Sequence, residues 1–399
     1  METTTQTSTQ PTADNRTRLP LAALVALAVI GFVLVAMETM PAGLLPIIAS
    51  GMGTTEGTVG LYVSAYALGT VIVTIPAITL TRGMRRKPLI LAAIAGLVLA
   101  NTTTAISSDV TLSLISRFVA GAFSGIIWGM LAAYGRKISP PSRAGLSLAI
   151  VSAGAPVGFA LGTPLGSVLG TAFGWRWAFV GLSLIGLVIL VLLLIFLHRA
   201  PGQPAHARLP VSQVIRIPGL WVILAVIVAW MIAHNTIYTY ISPYLQATET
   251  GIPASMMLVV YGVAAVGGVV ITGALLDRHP RPLLHLRVLV FVAAGVMLLI
   301  GSHSPAVILI AAVLWGVGFG GASTQLQAAL TTTSGDNADV ASSFLPVAFN
   351  IAIFAAGIVG AALLTSFDGL VLAALMTALG LVTLALTVYG RRSAFASRL

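Results

Sequence analysis

The chain of 399 residues has no cysteine and very little charge. Without cysteine it can form neither disulfides nor thiolate metal sites. Charged residues make up 8% of the chain, against about 25% in soluble domains, while apolar residues make up 58% and mean hydropathy is +1.03. This composition excludes a water-soluble globule and leaves no room for a separate soluble domain. An all-α protein that crosses a membrane many times is expected.

Motifs for several reaction classes are also missing. The sequence contains no phosphate-binding P-loop, no HExxH, no GxSxG and no acidic pair within an apolar segment at metal-ligand spacing. We therefore expect no enzyme, no cofactor, no metal and no ATP-driven pump. The net charge of +10 could indicate nucleic-acid binding, but the basic residues lie between apolar segments rather than on one solvated face. No nucleic-acid partner is expected.

Apolar segments long enough to cross a bilayer are what the sequence has instead, since about 20 helical residues suffice. Cuts at charges, prolines and polar clusters predict twelve spans, in two halves of six. These spans are 20–46, 58–80, 88–107, 110–134, 144–170, 177–197, 218–242, 255–276, 284–302, 305–330, 339–366 and 369–389.

Basic residues fall on one side of this topology. Of the 20 Lys and Arg residues, all but Arg117 and Arg176 lie in the tails or in loops that follow even-numbered spans, and Arg287 is counted among the loop residues after span 8. By the positive-inside rule, both termini are expected in the cytoplasm, in a multi-pass protein of the cell (inner) membrane.

A polar stretch divides the chain near its middle. We expect a disordered cytoplasmic tail at 1–18, a six-helix bundle at 19–197, a cytoplasmic linker at 198–217, a second bundle at 218–390 and a tail at 391–399. The loops TRGMRRKPL from Thr81 and DRHPRPLL from Asp277 stand 277 − 81 = 196 residues apart. Such duplication is typical of secondary transporters whose halves rock about a midplane site.

Glu38 and Arg117 are the charged residues that the sequence places inside apolar spans 1 and 4. Both lie about seven residues from the same membrane boundary, roughly 10 Å deep, so an ion pair can form. A carboxylate in hydrocarbon is costly, which makes Glu38 a candidate proton carrier and Arg117 its partner. Two alternatives stay open: Glu38 is a structural acid, or Arg117 snorkels or bonds backbone carbonyls.

Aromatic and amide side chains in the spans are candidates for binding a substrate. Trp230, His234 and Tyr238 recur every fourth residue on one face of span 7, and Trp128 shares a stripe of span 4 with Arg117. Gln325 and Asn350 are further candidates. Each of these residues can also serve ordinary helix packing or interhelical hydrogen bonding.

Span 5 is rich in glycine and proline. Gly154, Gly158, Gly162 and Gly166 recur every fourth position and predict close helix approach, while Pro156 and Pro164 weaken the helical hydrogen bonding. This helix can bend or slide during a conformational change, or it can be a static packing surface.

Several motifs resemble the major facilitator superfamily, specifically its twelve-span drug/proton antiporter branch of sugar-efflux, arabinose-induced and chloramphenicol-export proteins. METMPAGLLPIIAS resembles the branch's first-span motif, with Glu38 on its acidic position. RFVAG resembles the span-4 signature whose arginine, here Arg117, the family links to proton coupling. GAPVG with GTPLG and GWRWAF resembles the span-5 antiporter signature.

The loop after span 2 departs from the family's pattern. Ala77, Thr81 and Met84 replace a glycine, an aspartate and a glycine, which leaves Arg82, Arg85 and Arg86. The copy in the second half keeps Gly273, Asp277, Arg278 and Arg281, so an acidic latch is expected there.

The resemblance implies a major facilitator fold and a proton-coupled secondary efflux transporter of small neutral or weakly charged organic molecules, such as sugars, nucleosides or drugs, by alternating access. Its expected partners are a small-molecule substrate, protons and membrane lipid, and the protein is expected to act as a monomer. A proton-independent uniporter or importer, and a membrane sensor, stay open as alternatives.

Overall fold

A computed structural model of the chain describes residues 19–81, 84–140, 143, 147, 150–151, 153–197, 217–276, 278–334, 341 and 344–395. The N-terminal tail 1–18, nearly all of the linker, Arg82, Asp277 and the side chain of Pro156 lie outside the described residues.

The described residues fold into helices, which we number as spans by their position along the chain. The bounds are Leu21–Met52 (span 1), Glu56–Thr81 (span 2), Arg86–Ile106 (span 3), Val110–Lys137 (span 4), Gly154–Phe173 (span 5), Trp175–Phe196 (span 6), Leu220–Thr239 with Ile241–Thr248 (span 7), Ala254–Leu275 (span 8), Pro280–Ile300 (span 9), Pro305–Ser334 (span 10), Phe344–Leu364 (span 11) and Val371–Tyr389 (span 12).

Eleven of these helices are long and apolar enough to cross a membrane in the part of the chain that the structure describes. Span 5 is a further helix of 20 residues, Gly154–Phe173, and Pro164 lies inside it. The expected all-α membrane fold is confirmed.

Three spans are interrupted. Span 1 runs as an α-helix over Leu21–Thr39, narrows to a 3₁₀ turn over Met40–Leu44 and resumes at Leu45. Span 7 breaks at Tyr240, and span 10 breaks after Phe319. Pro41 is the second residue of the 3₁₀ turn, and Gly320 and Gly321 occupy the break in span 10, as expected for residues that interrupt helical hydrogen bonding.

The helix contacts of the first six spans recur among the last six. Span 2 packs on span 4 as span 8 packs on span 10, span 1 on span 5 as span 7 on span 11, and span 3 on span 6 as span 9 on span 12. Between the two sets, span 2 packs on span 11 and span 5 on span 8. The two six-helix halves are therefore pseudo-symmetric and meet along two helix pairs.

Large apolar side chains cover much of the outer surface, with Leu80 and Ile300 about four-fifths exposed. This is what lipid contact requires.

The assignment of Arg287 to a loop is wrong. Span 9 begins at Pro280, so Arg287 lies in the second turn of a helix, and its side chain is 4% exposed. Its hydrogen bonds to span 10, described below, explain why this position tolerates burial.

Candidate functional site

Arg117 and Glu38 meet where span 1 breaks. Nη2 of Arg117 donates to the backbone carbonyl of Glu38 at 3.3 Å, and Nε donates to the carbonyl of Tyr62 at 3.3 Å. The guanidinium also lies over the ring of Tyr66, 4.6 Å from its centroid. Arg117 is fully buried and Glu38 is 4% exposed, so both groups are shielded from water.

The bond between these residues differs from the expected ion pair. Arg117 holds the backbone of Glu38, while Oε1 of Glu38 and Nη1 of Arg117 are buried without a hydrogen-bond partner. This conformation thus shows the backbone contact that was the alternative for Arg117. The unpartnered carboxylate oxygen and guanidinium nitrogen leave each residue with an unused charge-bearing atom.

The helix break explains why an arginine is needed here. Glu38 belongs to the last turn of the first segment of span 1, whose final carbonyls have no helical partner. A cation near those carbonyls also interacts favourably with the helix dipole. Tyr62 and Tyr66 of span 2 complete this site. They are four residues apart on one helix face, so a search for aromatic pairs at helical spacing could have found them.

The predicted face of span 7 lies in an aromatic cluster in the second half. His234 is stacked on Phe319 with ring centroids 3.6 Å apart, and its Nδ1 accepts a hydrogen bond from Nε1 of Trp315 at 3.0 Å. Trp230 meets Phe319 edge-on at 5.7 Å, and Tyr238 lies 5.1 Å from His234. The structure therefore brings the three predicted residues together.

Other aromatic residues of this cluster escaped the sequence analysis. Tyr261 of span 8 and Phe291 of span 9 join Trp315 and Phe319 of span 10 around the span-7 face. Trp315 and Phe319 are four residues apart, so a search for aromatic pairs on one helix face could have found them. Nε1 of Trp230 and the hydroxyl of Tyr238 are buried without hydrogen-bond partners.

Three predicted binding residues lie elsewhere. Trp128 is half-buried on span 4, about 16 Å along the helix from Arg117. Gln325 donates from Nε2 to the carbonyl of Pro280 at 2.9 Å and lines a small pocket at the end of span 9. Asn350 donates to the carbonyl of Pro346 one turn earlier at 2.9 Å. Gln325 and Asn350 each keep one buried oxygen without a partner.

The glycines of span 5 face span 1. A Cβ at Gly154 would meet the carbonyl oxygen of Ala28, and a Cβ at Gly162 would lie 2.8 Å from the Cα of Ala36. Gly158 faces Val35 and Phe32 in the same way. The two helices therefore approach as closely as the spacing predicts. These glycines form the glycine stripe of span 5, and Pro164 lies within the same helix.

The candidate residues in and beside the two repeated loops are more exposed to solvent than the glycines of span 5 that face span 1. Arg85 and Arg278 are exposed, and Arg86 begins span 3 with its side chain partly buried. Gly273 is exposed, and a Cβ there would have nothing within 4 Å.

The two halves are joined near Glu56, at the end of the molecule where span 2 begins, which we call the Glu56 end. Nε2 of Gln246 donates to Oε1 of Glu56 at 2.8 Å. Oη of Tyr240 bonds the carbonyl of Gly57 in the first half at 3.4 Å and the carbonyl of Gly357 in its own half at 2.7 Å, and its ring lies against Gly60 of span 2. Ser64 donates to the carbonyl of Phe354 at 3.2 Å. These contacts tie spans 2, 7 and 11 together.

Comparison with known proteins identifies a family and solved structures of similar fold. The family model described as Major Facilitator Superfamily matches residues 27–357. Among solved structures, the chain is similar to a bacterial homologue of the human lysosomal transporter Spinster, determined in an inward-facing and unoccupied conformation. The TM-score is 0.64 at 14% sequence identity, and the match covers 94% of this chain and 95% of the other. At this identity the likeness bears on the fold alone.

Proposed function

Because the chain belongs to the Major Facilitator Superfamily and is therefore a secondary transporter, we propose that it exports small organic molecules in exchange for protons. Glu38 is the proton carrier in this proposal, and Arg117 is the partner that responds to its charge. The observation that supports this assignment is a buried carboxylate whose oxygen has no hydrogen-bond partner, lying beside a buried guanidinium at a helix break.

The coupling follows from the cost of burying charge. An ionised Glu38 in a dry site is stabilised by the guanidinium of Arg117, whereas a protonated Glu38 needs no cation. Protonation therefore changes the free-energy difference between conformations in which the two side chains are close and conformations in which they are apart. A differential of about 1–3 kcal/mol is enough for useful coupling.

The arrangement of the halves supplies the conformations. We propose that residues 19–197 and 218–390 rock against each other as two bundles. The protein lies in the inner membrane, with the N-terminal tail, the linker and the C-terminus on the cytoplasmic side. The Glu56 end then faces outward, and its contacts between the halves through Tyr240, Gln246 and Ser64 hold that side closed. Opening requires these bonds to break while the glycine stripe of span 5 lets span 1 move.

In the proposed cycle, a proton that arrives from outside neutralises Glu38 and weakens its attraction to Arg117. The protein then returns to the state that is open to the cytoplasm, where the proton leaves and a substrate binds. Loss of the proton restores the attraction and favours the outward-facing state, from which the substrate is released.

The aromatic cluster supports the substrate class. Its rings offer an apolar surface, and the unpartnered donors Nε1 of Trp230 and Oη of Tyr238 can bond acceptors on a ligand. The guanidinium of Arg287 adjoins this cluster, but its nitrogens already bond the carbonyls of Val317 and Gly318 and the hydroxyl of Thr272, so it is not free to select an ionic substrate. We therefore propose neutral or weakly charged molecules such as sugars, nucleosides or drugs.

The test begins with a ligand panel in a thermal-shift screen, followed by flux of each hit in proteoliposomes. Glu38→Gln should abolish export driven by a pH gradient while exchange of substrate across the membrane continues. Asp368→Asn is the matched control, because it also replaces one carboxylate by an amide, but at an exposed turn where the side-chain oxygen can keep its bond to the amide of Leu370. Uphill export by Glu38→Gln at the wild-type rate would contradict the assignment, and transport unaffected by uncouplers would favour a uniporter.

A further inference from the structure

A second buried arginine holds the break in span 10. Nε of Arg287 donates to the carbonyl of Gly318 at 3.1 Å, and Nη2 donates to the carbonyl of Val317 at 2.8 Å. Nη1 donates to the hydroxyl of Thr272 on span 8. All three nitrogens of the guanidinium therefore have partners, and those partners come from two neighbouring helices.

These carbonyls need a donor because the helix ends there. The first segment of span 10 covers Pro305–Phe319, and the amide of Gly320 bonds the carbonyl of Gly316. The carbonyls of Val317 and Gly318 belong to the last turn, where helical partners run out. A guanidinium satisfies two of them at once and places a positive charge at the negative end of the helix dipole.

The turn that Arg287 binds carries two aromatic side chains of the cluster. Phe319 follows Gly318 directly and is stacked on His234, and Trp315 lies one turn earlier and donates to Nδ1 of His234. Any shift of this turn moves both rings against His234.

We propose that Arg287 is a positioning residue that fixes the last turn of the first segment of span 10 and thereby holds Trp315 and Phe319 against His234. The effect on substrate recognition rests on the proposed function, since it requires the aromatic cluster to bind substrate. The placement of Trp315 by Arg287 does not rest on the proposed function. The positioning role and the effect on substrate recognition can therefore be tested separately.

Glycines make room for this contact. A Cβ at Gly268 would lie 3.0 Å from Nη2 of Arg287 and 2.8 Å from the carbonyl oxygen of Val317. A Cβ at Gly321 would collide with Nη1 of Arg287 and the hydroxyl of Thr272. The backbone at the break and the guanidinium therefore fit together closely, which favours one position of the arginine.

The test uses the indole proton of Trp315 in the full-length protein. The chain has six tryptophans, so protein labelled with ¹⁵N-tryptophan should give six indole resonances, and Trp315→Phe identifies the one of interest. In Arg287→Lys a single ammonium replaces the planar fork and cannot satisfy both carbonyls in the same geometry. We expect the Trp315 resonance to leave its hydrogen-bonded position or to split into two.

Arg281→Lys is the matched control. Arg281 is on the same helix, and its guanidinium binds the carbonyl of Phe395 through Nε and Nη2, at the end of the helix away from the cluster. This variant should leave the Trp315 resonance in place. A structural loss alone would lower the midpoint of thermal unfolding in both variants without displacing that resonance.

An unchanged Trp315 resonance in folded Arg287→Lys would overturn the proposal. If that variant does not fold, Thr272→Val decides, because it removes the hydroxyl that bonds Nη1 and leaves the arginine in place. We expect it to displace the Trp315 resonance in the same direction by a smaller amount, and no displacement would also overturn the proposal.

Discussion

Arg117 in the first half and Arg287 in the second half both supply hydrogen bonds to backbone carbonyls that a break in a span leaves without helical partners. Each is almost fully buried, and each donates to backbone carbonyls in the last turn before a break in a span. The difference lies in the neighbouring side chains. Arg117 lies beside a carboxylate with an unpartnered oxygen, whereas Arg287 is bound by carbonyls and the hydroxyl of Thr272.

This difference separates a contact that can depend on a proton from one that cannot. The described carboxylates of the second half, Glu249 and Asp368, lie in turns at the Glu56 end, away from Arg287. A cation held only by neutral groups keeps the same interactions at every pH near neutrality. Among the described residues, the two halves therefore share a backbone design, and the proposed proton site lies in the first half.

Replacing each arginine with lysine is the strongest way to break this comparison. We expect Arg117→Lys to lower the ratio of pH-driven export to exchange without a gradient by about 5- to 150-fold, the range of typical coupling free energies. The reason is that a compact ammonium lacks the planar fork that reaches the Glu38 and Tyr62 carbonyls and still leaves a nitrogen free for the carboxylate.

Arg287→Lys should leave that ratio at its wild-type value while weakening substrate affinity. The coupling ratio is measured from initial rates in proteoliposomes with and without a pH gradient, and the affinity from the dependence of that rate on substrate concentration. The substrate is the compound identified by the ligand screen. An equal loss of coupling in the two variants would remove the distinction between the halves.

Glycine positions offer a second contrast between the halves. Gly162→Leu should destabilise the protein by about 1–3 kcal/mol, because the side chain would enter the backbone of span 1 at Ala36. Gly273→Leu should change stability by less than about 0.5 kcal/mol, since an added Cβ there meets nothing within 4 Å. Thermal unfolding in detergent measures both, and equal midpoints would mean that spans 1 and 5 are not in close contact.

Tyr240 tests the junction between the halves, and its effect should be smaller. Tyr240→Phe removes the hydroxyl that bonds the carbonyl of Gly57 in the first half at 3.4 Å, and should weaken closure of the Glu56 end by about 0.6 kcal/mol, the average for interhelical hydrogen bonds in membranes. That corresponds to about a threefold change in the population open on that side.

Opening is measured by labelling an introduced cysteine with an impermeant maleimide, since the chain has no cysteine of its own. The cysteine is Thr163→Cys, at a buried position of span 5, and it is added to wild type and to Tyr240→Phe. Tyr244→Phe is the control, because its hydroxyl bonds Leu298 within one half at 2.7 Å. Faster labelling in the control than in Tyr240→Phe would contradict the assignment of the junction.

The sequence predicts the fold well because lipid imposes a simple constraint on it. Apolar length, loop charge and the repeat at 196 residues are local or additive features, and the span positions follow from them. Helix ends are harder: span 9 starts at Pro280 rather than at 284, since Pro is favourable in the first helical turn. Arg287 is counted with the loop residues although the predicted span 284–302 includes it, and the structure places it inside the helix.

The site is predictable only in part. Equal depth in the membrane is enough to place Arg117 near Glu38, but not to show that the bond goes to the backbone, which depends on the break in span 1. The aromatic face of span 7 follows from its spacing. Its partners Tyr261, Phe291, Trp315 and Phe319 come from three other spans, and their convergence depends on tertiary packing.

Proton movement driven by substrate is the most direct test of a proton site at Glu38. A substrate gradient is imposed on proteoliposomes that contain a pH-sensitive dye, and the internal pH is followed in wild type, Glu38→Gln and Arg287→Lys. We predict a pH change in wild type and in Arg287→Lys, and none in Glu38→Gln although substrate still exchanges. A pH change of wild-type size in Glu38→Gln would show that the proton travels through another group.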